Sequence, residues 1–177
     1  MSRTWKKYHN RNKTPFDCQL VTAVNAYYYL TGKTIPQDSE KYDELVELTG
    51  CAHGAAISIE KAWDKLGIKV LQESGTLFDF RVNRSKKDKK KPSPPDFTFK
   101  KSCPLPIEWR IWHKNTGFHS TLIVEECKKV KAFRVLNFRD VTTNGGWIFE
   151  EDMYMYGRGI PCQNNVCFKL FGLKGKK

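Results

Sequence analysis

No Cys-x-x-Cys pair occurs in the 177 residues, and the 6 cysteines, Cys18, Cys51, Cys103, Cys127, Cys162 and Cys167, are scattered along the chain. This spacing argues against a zinc ribbon and against a dense disulfide framework, so the thiols are expected to be mostly reduced. A looser set of Cys51, His53, Cys162 and Cys167 lacks the tight ligand pairs of tetrahedral sites. Neither a metal nor another cofactor is expected. No run approaches the roughly 20 apolar residues that cross a bilayer. The start, Met1-Ser2-Arg3-Thr4-Trp5-Lys6-Lys7, is not followed by an apolar signal-peptide region. These absences lead to the expectation of a protein without a membrane span, cytoplasmic or virion-internal. Internal repeats are missing too, and histidine is scarce at 4 residues.

What the chain has in excess is basic and aromatic residues. Lys and Arg number 31 against 19 acidic residues, a formal charge of +12, and 11 Phe, 7 Tyr and 5 Trp accompany 40% hydrophobic content. That composition belongs to a folded protein of one substantial domain. The charge favours nucleic acid or an acidic protein as a partner, but names no site. The boundaries follow composition: a basic arm over residues 1–13, one domain over 14–173, and a basic tail over 174–177. Within the domain, residues 84–95 form a Lys/Pro-rich segment read as a surface loop. Its Lys86, Lys87, Lys89, Lys90 and Lys91 are candidate contacts for a phosphate backbone, since lysines supply charge without reading bases.

The helical signals come first along the chain. Asp17 reads as an N-cap and Gly32 as the residue that closes the helix, with Leu20, Val21, Val24, Tyr27, Tyr28 and Thr31 at helical spacing between them. Phe16 and Val21 are spaced as a hydrophobic staple. A second helix is expected from Pro36 to Leu48, burying Tyr42, Leu45, Val46 and Thr49 and exposing an acidic face. A third opens at Ser58, packs Ile59, Ala62, Trp63 and Leu66, and closes at Gly67. Strands follow: Ile68–Leu71, Phe78–Val82, Leu105–Trp112, Phe118–Glu125, Ala132–Phe138 and Val166–Phe171, the later ones as antiparallel neighbours. Trp147 and Phe149, after the Asn144-Gly145-Gly146 turn, are expected to return to the core, and residues 150–154 to form a short helix or turn. The order gives an α+β class, a helical half followed by an antiparallel sheet half.

Cys18 falls at the first position of the first helix, where free backbone N–H groups and the helix dipole favour a thiolate. A nucleophile of this kind needs a base and a group that orients the base. His119, at the start of a hydrophobic strand, is the candidate base. Asn137, on the next strand, is the candidate orienter, with Asp140 as its rival.

The order helix-start Cys18, strand-start His119, next-strand Asn137 resembles the papain-like cysteine peptidases, nearest to the bacteriocin-processing (peptidase C39-like) branch. The similarity covers about residues 12–151. It implies a papain-like fold in which a central helix of the helical half carries Cys18, and a thiol peptidase acting on a peptide or related amide bond. It further implies an oxyanion donor upstream of the cysteine, where this sequence has Asn12 instead of glutamine, with the Cys18 backbone N–H as second donor. The alternative reading is a catalytically weak or inactive scaffold of the same kind, serving as a basic structural or nucleic-acid-associated protein of a viral particle or a nucleic-acid-rich assembly.

Overall fold

The computed structural model describes residues 17–52, 58–72, 105–113, 117–138, 146–149 and 170–173. The arm 1–13, the loop 84–95 and the tail 174–177 lie outside the described residues. So do Phe16 of the expected staple, the strand expected at 78–82 and the turn expected at 150–154.

Three helices open the described chain: α1 (Cys18–Thr31), α2 (Glu40–Thr49) and α3 (Ile59–Leu66). Each ends at a glycine in the left-handed conformation. At the end of α1, Gly32 has φ +74° and its N–H donates to Tyr28 O at 2.8 Å, closing the last turn as a side chain with a Cβ would resist doing. Helix α2 begins four residues later than Pro36 because Ser39 caps it. The Ser39 hydroxyl accepts from the Tyr42 N–H at 3.3 Å, and Glu40 and Asp43 in the first turn complement the dipole. The buried sets of α2 and α3 are those the periodicity predicts: Tyr42, Leu45, Val46 and Thr49, then Ile59, Ala62, Trp63 and Leu66. Helix α1 differs. Its residues from Leu20 to Ala26 are buried on every side, because α1 lies against β3 while α2 and α3 also pack on it.

The strands are β1 (Ile68–Gln72), β2 (Ile107–His113), β3 (Gly117–Cys127), β4 (Ala132–Leu136), β5 (Gly146–Phe149) and β6 (Leu170–Leu173). They form one antiparallel sheet in the order β1-β6-β2-β3-β4-β5. On its helix side, Leu122, Val124 and Leu136 join the core cluster of Leu20, Val24 and Trp63. Ile107, Trp109, Ile123, Phe133 and Val135 are buried on the alternate positions, so the central strands are buried on both faces. Trp109 stacks on Phe138 with ring centroids 5.6 Å apart.

Two expectations are corrected. The papain-like layout required Cys18 on a central helix of the helical half, but Cys18 opens α1, the first helix of the described chain. The chain order of the helical signals already puts this segment first; the central placement came only from the resemblance. The order of a helical half followed by an antiparallel sheet half is kept among the described residues: α1 to α3 precede the strands, and β1, directly after α3, pairs antiparallel with β6 at the sheet edge. Finally, Trp147 and Phe149 do not return to the core: they are 47% and 51% exposed, while Ile148 between them is buried. β5 is an edge strand of the sheet, and with a period of two the face that buries Ile148, paired with Phe133, leaves Trp147 and Phe149 together on the other face.

Candidate functional site

The start of α1 carries polar groups into the interior. Asp17 and Cys18 are buried there, and Thr22 and Asn25 continue the polar positions one and two turns further on. Asp17 stands at the cap position but makes no side-chain cap bond. Its carboxylate instead accepts from the Tyr42 hydroxyl at 2.9 Å, which ties α2 to the first turn of α1. Burial, and then the charge of Asp17, push the Tyr42 phenol well above its ordinary range.

The Cys18 thiol meets two backbone groups, of Gln19 in its own helix and of Ser120 in β3, both of which favour the thiolate. They do not prevail. Burial is the largest influence and raises the thiol above its ordinary value of 9.0, and the charges of Glu108 and Asp17 raise it further. The helix-start location alone therefore does not produce an activated thiolate, contrary to the reading from position. A partner that takes or shares the proton is required.

His119 precedes Ser120 on β3. Its Nε2 lies 2.5 Å from the carbonyl oxygen of Asn137. A carbonyl only accepts, so Nε2 carries the hydrogen and the lone pair of the neutral ring is on Nδ1. The residue expected from sequence to orient His119 does contact its ring, through its main-chain carbonyl and not its side-chain amide. Asn137 has φ +56°, a left-handed conformation that asparagine tolerates better than most residues, and it ends β4 at Leu136. The turn aims the Asn137 carbonyl at His119. It also frees the side-chain amide, whose Nδ2 donates to Ser120 O at 3.1 Å. One residue therefore holds the histidine ring and the strand beside the thiol.

Sequence reasoning missed four contributors. Ser120 is fully buried, and its hydroxyl lies 2.7 Å from Glu108 Oε1 and 3.1 Å from Thr22 Oγ1. Glu108, 1% exposed, is also held by Arg110, whose Nε and Nη2 approach its two carboxylate oxygens at 2.7 and 3.3 Å. The signal for Glu108 and Arg110 was present: opposite charges two apart on a strand share a face and can pair. Thr22 carried one as well, lying a helical turn beyond Cys18 on the same face. Ser120 carried none beyond adjacency to His119.

Asn12, Asp140 and the lysines Lys86, Lys87, Lys89, Lys90 and Lys91 lie outside the described residues, as do His53, Cys162 and Cys167 of the weak zinc set. Cys51 is buried and takes a 3.1 Å contact from the Thr49 hydroxyl. Among the described residues no helix is long and apolar enough to cross a membrane. No protein-family model matches the chain, and neither a curated protein nor a solved structure matches it significantly.

Proposed function

We propose that the protein is a cysteine hydrolase that cleaves a peptide or related amide bond with Cys18 as nucleophile, His119 as base and Asn137 as orienter. The observation that carries the reading is the contact of the Cys18 thiol with the main chain of Ser120, the residue next to a histidine whose Nε2 is already committed to Asn137. In this mechanism Nδ1 of His119 takes the Cys18 proton as the sulfur attacks the substrate carbonyl carbon. The oxyanion is stabilised by backbone N–H groups at the start of α1 and by the amide of Asn12. The tetrahedral intermediate collapses, the C–N bond breaks, and the imidazolium gives its proton to the leaving amine. Water, deprotonated by the same ring, then hydrolyses the thioester and restores the thiol. The raised Cys18 thiol fits a site that ionises only as its base receives the proton.

The kinship with papain-like peptidases and their C39-like branch is part of this proposal and rests on chain order, Cys18 then His119 then Asn137. A second reading draws on the charge of +12: a basic protein associated with nucleic acid or an acidic partner, inside a cell or a viral particle. Salt-dependent binding to nucleic acid would support it, and no binding at low salt would remove it.

The test of the hydrolase is site-resolved alkylation of the full chain by iodoacetamide across pH, with each cysteine followed by mass spectrometry. Cys18 is expected to react near neutral pH despite its burial, and His119→Ala to slow it about tenfold or more. Equal rates in the parent and His119→Ala would sink the proposed couple.

A further inference from the structure

We infer that Ser120 is a positioning residue, and that the bridge Thr22–Ser120–Glu108 locks the helix bearing the nucleophile to the strand bearing the base. This rests on the Cys18–His119 reading and assigns the part of the fold that holds the two in register.

The bridge has a defined polarity. Ser120 has one hydroxyl proton and two oxygen neighbours, Glu108 Oε1 at 2.7 Å and Thr22 Oγ1 at 3.1 Å. A carboxylate only accepts, so the Ser120 proton goes to Glu108, and the Thr22 hydroxyl donates to Ser120. Arg110 closes the far end by donating to both oxygens of Glu108. A charged chain of hydrogen bonds therefore runs from β2 through β3 into α1, with Glu108, Ser120 and Thr22 each no more than 1% exposed.

Its location gives it the role. Thr22 is four residues after Cys18, so it lies on the same face of α1 one turn away. Ser120 follows His119 directly, and its own backbone meets the Cys18 thiol. Its carbonyl is held by Asn137 Nδ2, from the residue whose carbonyl holds His119. Ser120 is thus fastened through its hydroxyl to α1 and β2 and through its carbonyl to the end of β4. A slide of α1 along β3 breaks the first attachment before it disturbs the apolar contacts of Leu20 and Val24, which tolerate small shifts because they are non-directional. Apolar packing alone would serve stability as well, since a buried charge is a poor stabiliser relative to a hydrophobic replacement. Directional bonds specify register, which a nucleophile and its base require.

The experiment compares Thr22→Val, which keeps the side-chain shape and deletes the hydroxyl, with Thr22→Ser, which keeps the hydroxyl, and with Ser120→Ala. In the full chain, the rate of Cys18 alkylation is followed against pH beside parent and His119→Ala, with thermal melting as the record of folding. Thr22→Val and Ser120→Ala are expected to lose about two- to tenfold of the His119-dependent rate near neutral pH, the range that one hydrogen bond supplies. Thr22→Ser is expected to retain the parent profile. The inference is overturned if Thr22→Val and Thr22→Ser share the parent profile while His119→Ala differs from it. If the parent itself shows no dependence on His119, the couple fails and the bridge loses its role with it. Should Ser120→Ala not fold, the threonine pair decides alone.

Discussion

Asn137 unites two duties that are usually attributed to an amide side chain. Its carbonyl, not its side chain, receives the His119 Nε2 hydrogen, and its left-handed φ of +56° is what aims that carbonyl. The two substitutions Asn137→Gly and Asn137→Ala therefore separate backbone from side chain. Both lose the Nδ2 bond to Ser120 O. Glycine keeps the left-handed conformation at no steric cost, whereas alanine is strained there by about 1 kcal/mol. The expected result is that Asn137→Gly retains more of the His119-dependent Cys18 reactivity and unfolds at higher urea than Asn137→Ala. An orienter acting through its amide would leave the two variants equally impaired. From sequence, a contact between His119 and Asn137 was legible because Asn137 directly follows the next strand, β4. Its mode of action was not, since a positive φ at the end of a strand has no spacing signature. The same limit applies to Cys18: its helix-start position announced the favourable backbone group of Gln19, but its burial, the charge of Glu108 and the backbone group of Ser120 depend on elements far along the chain.

At the scale of elements, caps and helical periods carried the most information. Gly32, Gly50 and Gly67 end the three helices, and the faces of α2 and α3 were readable because each meets the core on one side. Helix α1 was less readable in detail, since burial all round erases the polar stripe that marks a face. Its place as the first of three helices was readable from chain order, and only the resemblance made it central. Strand β5 was misread for a related reason: aromatic residues are strong candidates for a core, yet alternation and the register to β4 decide which side they occupy. Burial of Ile148 against exposure of Trp147 makes a direct prediction. Ile148→Ala should cost about 2 kcal/mol, the low end for a large-to-small change at the edge of a core. Trp147→Ala should cost less than half as much, chiefly the contact of its ring with Arg134, whose guanidinium carbon lies 5.1 Å from the ring centroid. Urea unfolding of the two variants checks the order, and a larger loss at Trp147 would mean that β5 pairs one residue out of register.

For the whole molecule, one buried charge links three proton equilibria. The Cys18 thiol, the Tyr42 phenol and the Cys51 thiol are all raised, burial being the largest cause for each, and the negative charge of Asp17 contributes to all three. The start of α1, the first turn of α2 and the turn after α2 therefore share a region that resists a second negative charge. A group raised in the fold keeps its proton there after the unfolded chain has released it. Stability is then intact below the ordinary thiol value of 9.0 and falls as pH rises beyond it, by up to about 1.4 kcal/mol per pH unit for each group. Under reducing conditions the urea midpoint should be nearly level up to the ordinary thiol value and decline above it, with Tyr42 extending the decline to higher pH. Cys51→Ala should make the decline shallower, while Cys127→Ala, at a half-buried position on β3, serves as the control. Asp17→Asn is the decisive variant, because it removes the charge common to the three groups and leaves an oxygen able to accept from Tyr42. Its alkaline decline should begin at the same pH as the parent's, because the unfolded thiols set the onset, but should be smaller in extent and level off at lower pH, even if its stability at neutral pH is lower. A parallel downward shift at every pH would show that Asp17 acts only as a structural acceptor and that burial alone keeps these groups protonated.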